Sequence, residues 1–292
     1  MEHRAGFVSI VGKPNAGKST LMNILVGERM SIITHKAQTT RHRIIGIIND
    51  ESTQIIFSDT PGIIQPKYGL QKSMMSAVNE SFLDADVLLV VTDINEKHDE
   101  TDVVEKVKKY EGPIAVLINK VDQSNQDLVS QKIEYWQKEL NPTAIIPISA
   151  LKEFNIEAIT GFIRENLPAH PPYYDKEELT DRSERFFVAE MIREQIFKCC
   201  EKEVPYSSEV VIVSFKEGED LHRISAEIIV ERETQKAIII GKGGTMLKKI
   251  ASAARYDIEA FLQKKVFLEV FVKVLDDWRN KDNYLKRFGY EK

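Results

Sequence analysis

One eight-residue segment constrains this chain more than any other feature of its sequence. Gly12–Ser19 reads GKPNAGKS and lies between a short apolar run and a segment with helical periodicity. It matches G-x-x-x-x-G-K-[ST], a loop whose backbone N–H groups surround phosphate groups. The pattern predicts that Lys18 reaches the β- and γ-phosphates and that the Ser19 hydroxyl binds Mg²⁺. The residues expected to contact the nucleotide here are Gly12, Lys13, Pro14, Asn15, Ala16, Gly17, Lys18, Ser19 and Thr20.

Short apolar runs alternate with amphipathic segments from Phe7 to about Leu167. Most runs are apolar at consecutive positions, as expected for strands that helices cover on both faces. The runs are Phe7–Gly12, Thr53–Thr60, Asp86–Ile94, Pro113–Lys120 and Ala144–Ala150. Because helical segments separate them, we expect an α/β domain with a mostly parallel sheet and helices on both faces.

A second motif, DTPG at Asp59–Gly62, follows the second apolar run. A carboxylate at the end of a strand beside a phosphate-binding loop can bind Mg²⁺ through water, and the Gly62 N–H can contact a γ-phosphate. We therefore place Asp59, Thr60, Pro61 and Gly62 in the nucleotide site.

A third motif, NKVD at Asn119–Asp122, follows another apolar run and selects the base. Asp122 can accept hydrogen bonds from N1–H and the 2-amino group of guanine, a donor pair that adenine lacks. Asn119 can brace the loop, and the stem of Lys120 can cover the base. At the end of the last run, Ser149 and Ala150 are candidates to offer a backbone N–H to guanine O6. Together the three motifs predict a guanine-nucleotide site.

The segment between the first and second motifs, Glu28–Gly46, has the length and polarity of a nucleotide-responsive switch. Two of its threonines, Thr39 and Thr40, are candidates to bind Mg²⁺. The sequence does not decide between them, and we favour Thr40; both could instead be β-favouring residues that lead into a strand. The predicted catalytic residues are Lys18, Thr40 and Gly62, and the predicted magnesium ligands are Ser19, Thr40 and Asp59.

A change of pattern divides the chain after the last of these runs. Prolines and charged residues fill residues 171–183, where no apolar periodicity exists, so we predict a linker. It separates a nucleotide-binding domain, residues 1–170, from a smaller α+β domain, residues 184–292. The second domain is expected to contain a long helix, two strands with polar alternation, a glycine turn between helices and a final strand.

The glycine turn of the second domain, GKGG at Gly241–Gly244, lies in a basic neighbourhood. Residues 236–265 contain seven basic and two acidic residues. The net charge of this segment is therefore about +5, in a chain whose net charge is −5. Glycines allow close approach to a nucleic-acid backbone, and a helix N-terminus follows them. The predicted RNA-binding residues are Gly241, Lys242, Gly243, Gly244, Lys248 and Lys249.

GKPNAGKS, QTTRHR, DTPG and NKVD together resemble the Era family of bacterial ribosome-assembly GTPases. The order of elements around GKGG also resembles the type II KH domain with which that family ends. The resemblance implies a P-loop GTPase that takes GTP or GDP with Mg²⁺. It also implies binding to the 3′ end of small-subunit (16S) ribosomal RNA and assistance in 30S subunit assembly, with no DNA partner.

Two residues bear on the hydrolytic step. Ile63 stands where many small GTPases carry a water-orienting glutamine, so we expect slow intrinsic turnover with water held by backbone, another side chain or the partner. Asn15 resembles the residue that coordinates K⁺ in related GTPases. The alternative is that Asn15 only stabilises its loop, and the sequence does not choose.

Composition fits a cytoplasmic globular protein: 42% of residues are hydrophobic, the apolar runs are short and the two cysteines are adjacent. The resemblance adds peripheral association with the inner face of the membrane, which composition does not indicate. Two alternatives stay open at this stage. One is an RNA chaperone with a purely regulatory GTPase, and the other is a GTPase whose C-terminal domain binds protein or membrane.

Overall fold

A computed structural model describes residues 2–96 and 101–290. The chain divides into two compact units, each of which is described by itself. The first consists of residues up to Lys67 together with Gln71–Asp181, and the second contains Tyr68–Leu70 and the residues from Arg182 onward.

A six-stranded sheet forms the centre of the first unit, in the order β2-β3-β1-β4-β5-β6. Its strands are β1 (Arg4–Val11), β2 (Ile44–Asn49), β3 (Thr53–Asp59), β4 (Val87–Asp93), β5 (Ile114–Asn119) and β6 (Ala144–Pro147). All neighbouring strands are parallel except β2, which runs antiparallel to β3. The mostly parallel sheet predicted from the consecutive apolar runs is confirmed.

Helices connect these strands and cover the sheet. They are α1 (Lys18–Val26), α2 (Gly69–Asp84), α3 (Thr101–Val107), α4 (Gln126–Leu140) and α5 (Ile156–Asn166). All seven residues of β3 and the first six of β4 are buried, as the absence of alternation in their sequences requires. The core therefore lies on both faces of the sheet.

The edge strand β2 is covered by part of the segment predicted as a linker. The N–H of Ile47 donates a hydrogen bond of 2.8 Å to the carbonyl of Leu179. The fully buried side chain of Gln54 accepts hydrogen bonds from the N–H groups of Tyr173 (2.7 Å) and Tyr174 (3.0 Å). Residues 171–181 are thus hydrogen-bonded into the first unit despite their lack of periodicity.

The second unit is a small α+β arrangement around a three-stranded sheet. Its elements are α6 (Glu184–Cys199), β7 (Glu209–Lys216), β8 (Leu221–Val230), α7 (Glu233–Ile240), α8 (Thr245–Leu262), β9 (Lys265–Val274) and α9 (Asp282–Arg287). Strand β8 lies between an antiparallel β7 and a parallel β9. Its core joins α6 and α8 to the sheet through residues such as Ile192, Ile228 and Ile250. The order of elements is the one expected for the second domain.

Candidate nucleotide site and RNA-binding loop

The sheet of the first unit brings the three motifs to one edge. In the register of the sheet, Ile10 of β1 pairs with Asp59 of β3, and Asp93 of β4 pairs with Asn119 of β5. The loops that follow these strands therefore leave the sheet side by side. Strand β1 lies where the strand order reverses, the place at which open α/β sheets form a ligand crevice.

The glycines of GKPNAGKS occupy positions that other residues could not. Gly12 has φ +145°, and a Cβ there would lie 2.1 Å from the carbonyl oxygen of Val91. Gly17 has φ +99°, and a Cβ there would lie 2.2 Å from the side-chain nitrogen of Asn119. The loop can therefore wrap tightly before α1 begins at Lys18.

Lys18 is buried at the base of this loop. Its Nζ donates to the carbonyl oxygens of Lys13 (2.8 Å) and Gly12 (3.2 Å). Burial lowers the pKa of Lys18 from 10.5 to about 8, although attraction to Asp59 and Glu96 opposes this change. A poorly hydrated ammonium group is well suited to phosphate oxygens, because they would restore the stabilisation that water gives elsewhere.

Asp59 is the centre of a cluster of oxygen atoms at the end of β3. Its Oδ2 accepts hydrogen bonds from Ser19 Oγ (2.8 Å), Ser31 Oγ (2.8 Å) and Thr40 Oγ1 (3.5 Å). Burial raises the pKa of Asp59, while Lys18 and the three hydroxyls act in the opposite direction. Its Oδ1 is buried and has no hydrogen-bond partner within residues 2–96 and 101–290. Hydroxyl and carboxylate oxygens are the ligands that Mg²⁺ prefers, so the cluster fits this ion.

The two threonines that are candidates for Mg²⁺, Thr39 and Thr40, differ in their hydroxyl contacts. Thr40 Oγ1 lies 2.8 Å from Ser19 Oγ and so belongs to the cluster around Asp59. Thr39 Oγ1 donates to the carbonyl of Lys36 (2.8 Å) and lies 2.6 Å from Thr34 Oγ1. The geometry therefore favours Thr40 as the magnesium ligand.

The DTPG segment packs directly against the phosphate loop. Thr60 Oγ1 donates to the carbonyl of Ile10 at 2.8 Å, and the N–H of Ile63 donates to the carbonyl of Gly12 at 3.0 Å. A Cβ on Gly62 would lie 2.5 Å from the backbone nitrogen of Pro14. Pro61 is buried as well. Gly62 is thus held beside the loop, where its N–H could meet a γ-phosphate.

Asn119 joins the base-reading motif to the phosphate loop. Its Nδ2 donates to the carbonyl of Ala16 (2.8 Å), while its Oδ1 accepts from the N–H groups of Lys120 (2.8 Å) and Ala150 (2.9 Å). Asn119 is buried, so these bonds are shielded from water. The brace predicted for Asn119 is present in this geometry.

Lys120 extends across the site from a left-handed backbone conformation, φ 66°. Its Nζ donates to Asp93 Oδ2 (2.6 Å) and to the carbonyl of Asn15 (2.9 Å). The backbone of Lys120 lies in the base-reading loop and its ammonium group is bonded to the phosphate loop at Asn15, so its alkyl stem spans the two loops. This is the placement required of a side chain that covers a base.

Ser149 and Ala150 support the motif through groups that sequence reasoning did not foresee. Ser149 Oγ donates to Asp122 Oδ1 at 2.6 Å, which orients the carboxylate. The N–H of Ser149 donates to the carbonyl of Phe154 (3.3 Å), and that of Ala150 donates to Asn119. The N–H groups expected to face guanine O6 therefore have partners within the protein.

A cavity of about 380 Å³ lies among these residues. Predicted site residues that line it are Pro14, Asn15, Gly17, Lys18, Ser19, Thr20, Thr40, Gly62, Asn119, Lys120, Asp122 and Ala150. The switch segment contributes further lining residues, among them Ile33 and His35. Asn15 adopts φ 66°, and its Nδ2 donates to the carbonyl of His35 at 3.1 Å. The phosphate loop and the switch segment thus share one cavity.

Ser31 and Asp93 contact site residues but belong to none of the motifs recognised in the sequence. Asp93 carried a signal, since it ends a strand whose neighbours carry the other motifs, and carboxyl ends of parallel strands meet at one edge. Ser31 carried none, because a serine in a polar segment resembles many others.

In the second unit, GKGG links α7 to α8 as predicted. Gly241, Gly243 and Gly244 have φ values of 72°, 61° and 80°. A Cβ on Gly241 would lie 2.7 Å from that of Met246, whereas no heavy atom of the described structure lies within 4 Å of the corresponding position at Gly243 or Gly244. The loop is therefore open on one side and tight on the other. The lysines predicted to contact RNA, Lys242, Lys248 and Lys249, are exposed.

Each of the two units matches a known protein family. A family model described as 50S ribosome-binding GTPase matches residues 7–120, and one described as KH domain matches residues 203–279. GTPase Era of Staphylococcus haemolyticus is 41% identical over 292 residues, which cover 99% of this chain and 98% of that protein. GTPase Era of Ruminiclostridium cellulolyticum is 42% identical, with 100% and 99% covered.

Two crystal structures are similar over nearly the whole chain. One contains Era in complex with MgGDPNP and nucleotides 1506–1542 of 16S ribosomal RNA; its TM-score is 0.95 at 40% identity, with 99% of this chain and 100% of that chain covered. The other contains a variant of Aquifex aeolicus Era bound to GDP·AlF4⁻, with a TM-score of 0.94, 39% identity and the same coverage. Because relatives that are 40–42% identical match the chain over 99–100% of its length, this chain belongs to the Era family of GTPases.

Proposed function

We propose that this protein is a GTP-hydrolysing switch that binds the 16S ribosomal RNA of the small subunit and assists 30S assembly. The observation that carries the nucleotide part is the set of hydrogen bonds made by Asn119. These bonds connect the phosphate loop at Ala16 to the base-reading loop at Ala150. One nucleotide can therefore be held by its phosphates and read at its base within a single rigid frame.

The two activities are assigned to different parts of the chain. Residues 1–170 carry the nucleotide site and residues 184–292 carry the RNA site, with residues 171–183 between them. Support comes from the two compact units and from the match of residues 203–279 to the KH domain. The hydrogen bonds of Tyr173, Tyr174 and Leu179 to the first unit associate most of this segment with the nucleotide-binding unit.

Magnesium would be held by Ser19 and Thr40 directly and by Asp59 through water. When bound with nucleotide, the ion supplies positive charge against the β- and γ-phosphates. Lys18 donates to the same phosphates, and the N–H of Gly62 contacts the transferred group. These three features orient the phosphates and stabilise negative charge, the main requirement of phosphoryl transfer to water.

The position of the attacking water is not set by an amide side chain after Gly62. Ile63 is 3% exposed and apolar, so it cannot donate or accept a hydrogen bond from its side chain. We assign slow intrinsic turnover to this site, with water held by backbone groups or by the RNA-bound partner. A single-turnover GTPase assay with and without RNA measures this rate; stimulation by RNA supports the assignment.

Potassium is a separate part of the proposal. Asn15 carries a polar side chain at the rim of the phosphate loop, where a monovalent cation could add charge near the phosphates. Turnover in equal concentrations of KCl and NaCl, for the protein and for Asn15→Ala, tests this role. Faster turnover in KCl that disappears in Asn15→Ala supports it, and equal rates in both salts remove it.

RNA is assigned to the GKGG loop. Positive φ values let the loop backbone approach phosphates, and Lys242, Lys248 and Lys249 supply charge beside it. The 16S RNA bound to the similar Era structure gives the class of ligand. DNA is not an expected partner, and a labelled DNA of the same sequence provides the control.

The decisive experiment is a fluorescence-anisotropy titration with a labelled RNA from the 3′ end of 16S ribosomal RNA. It compares a GTP analogue, GDP and no nucleotide, with a scrambled RNA alongside. Tight binding of the 16S sequence that differs between GTP analogue and GDP supports a switch. Equal affinity in all nucleotide states would leave an RNA chaperone with an uncoupled GTPase, and no RNA binding would point to a protein or membrane partner.

Location is a further prediction, with the cytoplasm as the proposed compartment. Within the described ranges, no helix combines the length and apolar character needed to span a bilayer. Peripheral contact with the inner face of the membrane is tested by flotation with vesicles that contain anionic lipid.

A further inference from the structure

Ser31 lies outside the three nucleotide motifs, yet it contacts the carboxylate at their centre. Its Oγ donates to Asp59 Oδ2 at 2.8 Å, and both side chains are buried. The same oxygen accepts from Ser19, which we propose as a magnesium ligand. Three hydroxyls thus converge on Oδ2, while Oδ1 has no hydrogen-bond partner in the described part of the chain.

The position of Ser31 is itself fixed by one side chain of α1. Asn23 Oδ1 accepts from the N–H groups of Met30 (3.0 Å) and Ser31 (2.9 Å), and its Nδ2 donates to the carbonyl of Ser31 (2.8 Å). Asn23 follows Ser19 by four residues and therefore lies on the same face of the helix. A single helix thus carries a proposed magnesium ligand and the group that holds Ser31.

We propose that Ser31 is a positioning residue for Asp59. Its hydroxyl holds Oδ2 so that Oδ1 remains available to hydrated Mg²⁺, and Asn23 keeps the hydroxyl in place. When Ser19 and Thr40 turn their oxygens to the ion, Ser31 is the hydroxyl of this cluster that continues to donate to the carboxylate. This inference rests on the proposed nucleotide site and names a residue that the sequence motifs do not contain.

The general chemistry of metal sites gives the size of the effect. Carboxylates that serve metals are usually oriented by a neighbouring donor, and loss of that donor weakens metal binding about 10- to 100-fold. Ser31→Ala removes the donor without introducing a charge or a larger group. The expected result is weaker Mg²⁺ binding with the nucleotide pocket otherwise intact.

The test is the Mg²⁺ dependence of the release of a fluorescent GDP, measured without any turnover. In the unmodified protein, release of the fluorescent GDP should slow as the free Mg²⁺ concentration rises. The Mg²⁺ concentration that gives half of the maximal slowing is recorded. Ser31→Ala should raise that concentration about tenfold or more. Ser81→Ala is the matched control, because the buried hydroxyl of Ser81 donates to the carbonyl of Val78 (2.7 Å). Its Mg²⁺ dependence should equal that of the unmodified protein.

Asn23→Ala provides the second variant. It removes the hydrogen bonds that hold Ser31, so it should also weaken the Mg²⁺ effect. The double variant should add little beyond Ser31→Ala, since both changes act through the same hydroxyl. Asn23→Ala tests the proposal on its own if Ser31→Ala does not fold.

The outcomes distinguish failure of the proposed nucleotide binding from failure of the role of Ser31. If the unmodified protein does not bind the fluorescent GDP, the proposed function fails. If it binds in a Mg²⁺-dependent manner but Ser31→Ala and Asn23→Ala behave like Ser81→Ala, only the role of Ser31 is overturned. Loss of thermal stability in Ser31→Ala with an unchanged Mg²⁺ requirement likewise overturns it.

Discussion

The side-chain amide of Asn119 donates a 2.8 Å hydrogen bond to the carbonyl of Ala16. This bond runs from Asn119, the last residue of β5, to the loop after β1, and β4 separates these two strands. The geometry of the base-reading loop and that of the phosphate loop are thus dependent on one buried group.

Asn119→Ala should therefore damage both stability and nucleotide binding. It leaves the carbonyl of Ala16 and two N–H groups without their partner, at a cost of about 1–3 kcal/mol for each group that stays buried and unsatisfied. Urea denaturation measures the first effect and fluorescent-GDP binding the second. Asn125→Ala is the control: it removes the N-cap of α4, bonded to Leu128 at 3.0 Å, and should cost about 1 kcal/mol with nucleotide affinity unchanged. If the two variants lost similar stability and both kept nucleotide affinity, the proposed connection between the base-reading loop and the phosphate loop would be contradicted.

Asp122→Asn should change which base is bound. The carboxylate offers two acceptors to the donor pair of guanine, whereas an amide offers one donor in place of an acceptor. GTP affinity should fall about 100-fold or more, and XTP, whose base has a carbonyl in place of the 2-amino group, should gain affinity. Competition of GTP, XTP and ATP against fluorescent GDP measures the change. Equal loss of all nucleotides would mean that Asp122 serves the loop and not the base.

Lys18→Met should alter the pH dependence of stability in the nucleotide-free protein. The pKa of Lys18 falls from 10.5 to about 8 in the folded protein, so between these values the unfolded state binds more protons and stability rises with pH. Below about pH 8 the lysine is protonated in both states, and its contribution is constant. Relative to Lys18→Met, the free energy of unfolding of the unmodified protein should rise by on the order of 3 kcal/mol between pH 8 and 10.5.

The measurement is urea denaturation of both proteins at a series of pH values. The quantity to follow is the difference in free energy of unfolding between the two proteins, because other groups that titrate in this range affect both proteins alike. A pH-independent difference would show that Lys18 keeps its ordinary pKa in the fold.

Thr40→Ala and Thr39→Ala should separate the two candidate ligands. Thr40 contacts Ser19 and belongs to the segment expected to respond to GTP, so its loss should raise the Mg²⁺ needed for a GTP analogue more than for GDP. Thr39→Ala should leave this requirement close to that of the unmodified protein. The reverse result would assign the ion to Thr39. Fluorescent-nucleotide titration at several Mg²⁺ concentrations provides the data.

Lys242→Gln should reduce RNA affinity in a salt-dependent manner. One lost phosphate contact lowers the slope of log affinity against log salt by about 0.7 for a single strand. Lys216→Gln, at the exposed end of β7, is the control and should keep the slope. An unchanged slope for Lys242→Gln would remove this lysine from the RNA site.

Much of the nucleotide site could be predicted because each motif is local. In GKPNAGKS the backbone conformation, the helix start and the functional side chains all lie within eight residues. DTPG and NKVD follow apolar strands, and parallel strands bring their carboxyl ends together, so sequence order alone predicts their meeting. Ile238–Ile240 lie in α7 although their β-branched side chains favour a strand.

Contacts that depend on tertiary packing could not be predicted. Ser31 reaches Asp59 only because Asn23 bends the chain back after α1. The antiparallel strand β2 was not among the predicted runs, since IIGIIN lies in a polar neighbourhood and is interrupted by a glycine. The prolines near residue 170 correctly predict irregular backbone, but irregular backbone can still pack, as Tyr173 and Leu179 show.

The cover that residues 171–181 give to β2 has a consequence for cutting the chain. A fragment that ends at residue 170 would expose the edge of β2 and leave Gln54, fully buried here, without the backbone groups it binds. An open strand edge invites pairing with another copy, so this fragment should aggregate. A fragment that ends at Asp181 retains the cover and should remain monomeric, which makes it the better starting point for work on the isolated GTPase unit.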